Sequence, residues 1–400
     1  MQPSSSAFAT AITQNNQLMC AKAEIWSSPP NPQLLYGPLE LDAGSGDVTD
    51  DETAITRRTA TCTVLDPTGD LTPSDAGDLL HPMSGNEIRL FRGLLLPTGP
   101  EYIPLGVFRN HNPDVVNRAN GGMTAALDLA DRMQPFSTYG WINPFTVQGD
   151  ITQIIYSTLD GFMPGLEYNF DISGYEVNEV PSLVWGGIGA YAAARNKSAG
   201  EGATDPASGI TDLATCAGWE VFFDAQGTAT FRTITVPATR APQFSWEEGP
   251  GCTAEAPHRG YDLSNWYNTV VVQGGTASIA SNVQAVVYLP PKPNPCIPYS
   301  YTSPSITTES QGYSCGLGIL YRLQFALEAV KVTMAPDPRV NSGDTARLNF
   351  PSSRIQGIYA IENVKMPLYA KGKMECKCRP VALTGMATFG LPAEYCDGSA

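Results

Sequence analysis

The chain has little of what most enzymes depend on. Of its 400 residues only three are histidine, His81, His111 and His258, and they stand far apart. That scarcity works against a histidine-based metal centre and against an imidazole-activated nucleophile. The sequence contains no G-x-S-x-G, H-E-x-x-H or G-x-x-x-x-G-K-[ST] motif, so serine-hydrolase, zinc-protease and P-loop chemistry lack their usual carriers. Long apolar runs are missing too. Spanning a bilayer takes about 18 consecutive apolar residues, whereas the longest candidate, 183–194, is short and broken by glycine and alanine. The first residues, MQPSSSAFATAITQNNQ, carry no basic n-region, so a secretory signal is not expected there. Positive charge is also thin, with 24 Lys and Arg against 39 Asp and Glu and a net charge of −15. Holding nucleic acid by phosphate neutralisation requires clustered basic side chains, which are not supplied.

Nine cysteines are present, an odd number in a large chain. Cys376-Lys377-Cys378 is the one close pair, and a structural zinc site needs two pairs or a pair with two histidines. Reduced, often buried thiols made in a cytoplasm are the expectation, and Cys296–Cys315 is the best-placed disulfide candidate. Other chemical candidates are weak on their residues. Gly186-Gly187-Ile188-Gly189 lacks the lysine and spacing of a phosphate loop. Asp50-Asp51-Glu52 is an acid cluster without an evident apolar pocket to raise a pKa. His258 lies near Cys252, Arg259 and Asp262, but closeness in sequence is not catalytic geometry. Asn196-Lys197-Ser198 fits a glycosylation sequon and carries no weight without a secretory route.

What the chain has in abundance is punctuation. Scattered glycines and prolines, 38 and 33 in number, fit many short strands joined by turns. Residues 58–65 alternate Ala60, Cys62 and Val64 against threonines, the period of a half-buried strand. Asp66-Pro67-Thr68-Gly69-Asp70 stops it. A second strand over 86–96 sets Ile88, Leu90 and Leu94 against Arg89 and Arg92, which are expected to meet acidic neighbours, and a third ends in Leu105-Gly106-Val107-Phe108. Glu40 to Leu80 holds Asp and Glu far in excess of its two arginines, Arg57 and Arg58.

This stretch resembles the tail-hub (minor tail) proteins of long-tailed bacteriophages, especially those of actinobacteria. The similarity rests on an acidic turn, Asp47-Val48-Thr49-Asp50, leading to Arg57-Arg58, then on Asp66-Pro67-Thr68-Gly69, Asp78-Leu79-Leu80-His81-Pro82, Gly85 to Arg89, Arg92-Gly93 and Pro104 to Phe108. Glu220 to Gly227 resembles the E-x-x-F-D-x-x-G hairpin of the family, and Arg339 to Leu348 with Gly357-Ile358-Tyr359 resembles its C-terminal hairpin. The Ala/Gly-rich run within 162–209 and the cysteine-bearing end from Cys376 depart from the family pattern.

The resemblance implies a β-rich α+β, multi-domain chain with two β-barrel (tail-tube-like) domains and a smaller mixed α/β middle. The divisions expected are an N-terminal arm over 1–19, a first barrel over 20–135, a middle region over 136–237 and a second barrel with an extension over 238–400. Helices are expected at Asp150 to Leu159, Thr211 to Ala217 and Gly316 to Leu327, and residues 121–131, ambiguous on propensity, are assigned as strand. The 238–257 segment is expected to be a boundary. The implied function is a structural ring at the virion tail tip, synthesised in the host cytoplasm. As a homotrimer it would join tail-tube and distal tail proteins to a central fibre or baseplate, meet the tape measure protein, and pass DNA without specific binding. No catalytic, cofactor or metal residues and no membrane insertion are expected. An acidic channel wall would repel phosphate, and the Asp66 to Asp78 loop is the segment expected to face a lumen or partner. Two other classes stay open: a receptor- or carbohydrate-binding tip protein, and a tail-associated cell-wall hydrolase.

Overall fold

Alternation of small apolar and threonine side chains gives the strand Arg58–Asp66 (β4; strands are numbered in chain order) one wet and one dry face. Ala60, Cys62 and Val64 are buried while Thr59 and Thr61 are exposed. Arg58 and Asp66 share the parity of the apolar set and are buried with it, not turned to solvent. The computed structural model describes residues 1–14, 17–42, 44–66, 68–117, 123–141, 143–172, 179–186, 205–234, 241–249, 254–255, 257–262, 266–275, 280–288, 296–323 and 327–381.

Around β4 grows a sheet of 14 strands. Its main path runs β15 (His258–Tyr261), β19 (Glu328–Met334), β22 (Met374–Pro380), β21 (Ile355–Pro367), β3 (Asp47–Asp51), β4, β8 (Met123–Asp131), β6 (Gly99–Asn110), β5 (Glu87–Leu96), β1 (Met19–Trp26) and β2 (Leu34–Leu39). On β21 lies β20 (Thr345–Phe350), which carries β14 (Phe244–Glu247) in parallel, and β7 (Asp114–Asn117) pairs with β8. The two β-rich ends of the sequence are therefore one sheet, stitched where β3 pairs antiparallel with β21 on one side and with β4 on the other. A single core underlies it, running from Ala23, Val64 and Leu129 to Ile361, Val364 and Cys376. Two separate barrels were the expectation; among the described residues the strand order is open, ending at β2 and β15, and no closed barrel forms.

The Asp47 to Asp50 segment, expected as a turn, is the strand at this seam. Val48 fills the core and Asp50 finds two arginines, which together offset the poor strand propensity of aspartate. The 238–257 segment, expected as a boundary, contains β14, whose Phe244 and Trp246 are buried in the same core. The N-terminal arm is docked: helix α1 (Ser6–Ala11) buries Phe8 against Leu94, Leu96 and Ile103.

A second core is built from α2 (Gln134–Thr138), α3 (Ile151–Phe162), α4 (Pro206–Cys216), the pair β9 (Phe145–Asp150) and β11 (Glu179–Trp185), and the set β10 (Tyr168–Asp171), β13 (Ala229–Thr233) and β12 (Trp219–Phe223). Asp150 caps α3 by accepting from Gln153 N, and Ile151, Ile154, Ile155 and Leu159 face inward at helical spacing. A third core lies between α5 (Glu309–Leu323) and the sheet of β16 (Thr269–Gly275), β17 (Ala280–Val287) and β18 (Pro298–Ser303). The sequence led to the expectation that Leu317, Leu320, Tyr321, Phe325 and Leu327 face one core; Leu320 is buried and Leu317 packs against the third core, and Gly312, Cys315 and Gly316 are buried there with them. A Cβ on Gly316 would stand 2.5 Å from Val287, so small residues let the helix lie close on the sheet. Phe325 lies outside the described residues.

Because one core serves both ends of the sequence, Leu129→Ala should destabilise them together by about 2–5 kcal/mol. Urea unfolding followed by tryptophan fluorescence and by far-ultraviolet circular dichroism should shift as one transition. Two separated transitions, with only one of them moved, would contradict the shared core.

Candidate functional site, a buried charge junction

The paired arginines at the start of β4 mark the most charged interior of the molecule. Arg57 and Arg58 are both buried. Arg58 donates through Nη2 to Asp50 Oδ2 at 2.7 Å and to Asn341 Oδ1 at 3.2 Å, and through Nη1 to the Phe223 carbonyl at 3.1 Å. Arg57 donates through Nε to Asp50 Oδ1 at 3.2 Å and Ser342 Oγ at 2.9 Å, and through Nη2 to the Ser342 carbonyl at 2.8 Å. Its Nη1 reaches Glu220 Oε2 at 3.4 Å, and its guanidinium lies 4.0 Å from the centre of the Phe222 ring. Asp50 also accepts from Ser342 N at 2.9 Å and Ser342 Oγ at 2.6 Å. Three separate parts of the chain thus meet: the β3–β4 turn, the 341–344 loop, and the β12–β13 hairpin of the middle region.

The electrostatics follow from burial and pairing. Burial acts to raise the Asp50 pKa, but the Arg58 and Arg57 charges and the Ser342 hydrogen bonds outweigh it and hold it below the ordinary carboxylate value. Burial likewise opposes ionisation of Glu220, yet Arg232, Arg57 and Arg322 bring its pKa down to about 2. Asp131 goes the other way. Burial raises it to about 6, although the amides of Arg58 and Met133 donate to it at 2.8 and 2.9 Å. At neutral pH the junction therefore holds ionised Asp50 and Glu220.

Two further buried arginines join parts of the chain that lie far apart in sequence. Arg132 forks onto Glu87, with Nε to Oε1 and Nη2 to Oε2 both at 2.7 Å, and both residues are buried. Its third nitrogen donates to the carbonyl of Gly227, at the tip of the β12–β13 hairpin. Gly227 has φ +81°, and a Cβ there would sit 2.9 Å from Arg132 Nη1, so the tip needs glycine. Arg92, expected to meet acidic neighbours, instead donates to the backbone carbonyls of Pro367 and Tyr369, and burial lowers its pKa to about 10. Its parity with Ile88, Leu90 and Leu94 turns it into the sheet interior. Arg89 stacks 4.1 Å over Trp26 and lies within the fields of Glu87 and Glu24.

Much of the acidic excess around Glu40 to Leu80 is absorbed structurally. Asp47 pairs with Lys365 at 3.3 Å and Glu52 with Arg379 at 2.7 Å. Asp66 is buried and accepts from the amides of Gly69 and Leu71, both at 2.9 Å, which shapes the loop it begins. Asp70 and Asp75 are the acids of that loop left exposed.

The sequence candidates for chemistry do not converge. His81 accepts from Met83 N at a short 3-10 turn, His111 lies 3.3 Å from Asp128, and His258 sits on the outer strand β15. Among the described residues no group of three His, Cys, Asp or Glu is placed to hold a metal ion. Asp50, Asp51 and Glu52 split between the junction, a contact with Asn363 and Arg379. Cys315 is a buried free thiol, so the expected Cys296–Cys315 disulfide does not form, and Cys20, Cys62, Cys216, Cys376 and Cys378 are free thiols too. Cys252, the sequon and Gly187 to Gly189 lie outside the described residues.

The depressed Glu220 pKa fixes a pH dependence. Its ionised form is favoured in the fold, so its stabilisation is complete above the unfolded value near 4.5 and disappears as pH falls toward 2. Glu220→Gln leaves Arg232 without its carboxylate and takes from Arg57 one of its two, and should cost about 3–5 kcal/mol at pH 7. The gap between variant and parent, measured by urea unfolding, should narrow between pH 4.5 and pH 2. A gap independent of pH would show that Glu220 contributes by packing and not by charge.

The sequence matches no protein-family model and no curated protein. Solved structures do match, along nearly the whole chain. The tail protein from Neisseria meningitidis MC58 superposes with TM-score 0.60 at 10% identity, covering 90% of this chain and 96% of that one. The 43 kDa tail protein of prophage MuSo2 from Shewanella oneidensis gives 0.55 at 10% identity, covering 90% and 98%. Prophage tail protein gp18 from Listeria monocytogenes EGD-e gives 0.53 at 11% identity, covering 90% and 94%. The chain has the fold of these tail proteins.

Proposed function

We propose that this chain is a structural hub protein of a long-tailed bacteriophage, at the distal end of the tail. The observation that carries the reading is the match of 90% of the chain to a tail protein that is itself covered over 96% of its length. A shared fold does not by itself transfer a function, and the motif order from Asp47 to Phe108 is the second support, pointing to the type found in actinobacteriophages. The hub works as a trimeric ring, each subunit offering its two β regions as barrel-like faces to the tail tube. The opposite face meets a central fibre or baseplate, the tape measure protein occupies the ring before infection, and DNA passes without being bound. Its work is assembly and symmetry matching, with no catalytic step.

The two open ends of the large sheet favour assembly. Leu34 and Tyr36 on β2 are 51% and 43% exposed, and Tyr261 on β15 is 64% exposed. Unpaired edges bearing apolar side chains are natural sites for pairing between subunits. Asp70 and Asp75 are the acids available to line a channel.

Negative-stain microscopy of purified protein at about 1 μM should show a three-fold ring with a central hole; a compact monomer would contradict the hub. The loop gives a graded test. Asp70→Lys with Asp75→Lys should change stability by no more than about 0.5 kcal/mol while impairing assembly or DNA delivery. Asp66→Lys should cost about 3 kcal/mol or more by stranding two amides and burying an unpaired charge. Normal infection by tails built from the double lysine variant would remove the loop from the channel.

A further inference from the structure

Away from the charge junction, α3, β9 and Trp141 line a surface groove of about 460 Å³. Its aromatic wall is unusual for a soluble surface. Trp141 meets Phe145 edge-on at 4.8 Å between centroids and stacks on Trp185 at 5.3 Å, while Tyr139 stacks on Phe162 at 6.1 Å and 11°. Trp185 and Phe136 are buried behind this wall, and Phe136 supports Phe162 edge-on at 5.8 Å. The lining rings Phe145 and Phe162 are 38% and 41% exposed, and Tyr139, stacked on Phe162 beside the groove, is 54% exposed. Rigid aromatic faces backed by a packed core and left in contact with water mark binding surfaces.

The rest of the lining is polar and uncharged. Gln148, Ser157 and Thr158 border the groove, and among the described residues none of its lining is acidic or basic. Ser157 and Thr158 donate their hydroxyl protons to the Ile154 carbonyl at 3.0 and 2.8 Å. Their oxygens keep lone pairs for an incoming donor, and the exposed Gln148 amide offers both a donor and an acceptor. Gly161 lines the groove too, and a Cβ there would meet no atom within 4 Å.

From this pairing of aromatic faces with neutral hydroxyl and amide groups we infer a binding site for an uncharged saccharide. A pyranose ring presents an apolar C–H face carrying slight positive charge, which suits the negative face of an aromatic ring. Its equatorial hydroxyls supply the donors and acceptors that Gln148, Ser157 and Thr158 can answer. A charged polymer gains nothing from a lining without ions, and a purely apolar partner would strand the three polar side chains. The site does not depend on the hub reading, since it requires only the middle region of a single chain.

Ligand-observed saturation-transfer NMR with chitotetraose, maltotetraose and a neutral galactan tetrasaccharide tests it on the full chain, with tetragalacturonate as the charged control. At least one neutral oligosaccharide should bind with Kd of about 1 mM or tighter. Phe145→Ala removes an exposed face, and Gly161→Leu fills the open floor on a helix that tolerates leucine. Each should weaken binding by about tenfold or more, and Gly161→Leu should do so without lowering Tm. Absence of binding by every neutral sugar at about 10 mM, unchanged binding by both variants, or equal binding of tetragalacturonate would overturn the assignment.

Discussion

One carboxylate, Asp50, sits buried between two guanidinium groups, and the arrangement of the rest of the chain follows from keeping it there. Removing an ionised carboxylate from water costs several kcal/mol unless its charge and lone pairs are answered. Arg57, Arg58 and Ser342 answer them. The two arginines are excess charge for one aspartate, and the surplus is met by Glu220 and by the carbonyls of Phe223 and Ser342. Those partners belong to the middle region and to the C-terminal β segment. Satisfying one buried charge thus brings three parts of the chain into a fixed relation, next to the strand pairing of β3 with β21.

Much of the architecture could be read from residue pattern. The β4 alternation, the Asp150 cap with its apolar helical stripe and the β12–β13 hairpin are set by local chemistry, whereas the strand over 123–131 was ambiguous on propensity and followed only from the family resemblance. What could not be read was long-range. Nothing near Asp47 announces that its strand will pair with residues 363–367. Ion pairs such as Glu87 with Arg132 or Arg57 with Glu220 join residues far apart in the chain. Some of the junction was nevertheless legible. Arg58 shares the parity of Ala60, Cys62 and Val64, and Arg92 that of Ile88, Leu90 and Leu94, so strict period-two reasoning places both inside. Assigning them to the wet face on charge alone gave the wrong neighbours. On α5 the expected Leu317 and Leu320 do meet the core, while the buried glycines Gly312 and Gly316 are explained only by the close approach of β16 and β17.

The acidic composition changes meaning once its partners are known. Asp47, Asp50, Glu52 and Asp66 are committed to ion pairs or loop amides and hold the fold. Repulsion of a passing phosphate chain would fall to the acids that remain exposed. On the proposed reading as a ring subunit, the junction would keep the β regions and the middle region from drifting apart, as symmetry matching requires.

Native-state hydrogen exchange on an Arg58→Ala variant tests the central role of the junction most directly. The account predicts that amide protection falls together in β3, in the 341–344 loop and in the β12–β13 hairpin, since all three lose the same anchor. Loss confined to β4 and its immediate neighbours, with the hairpin and the 341–344 loop protected as before, would contradict it.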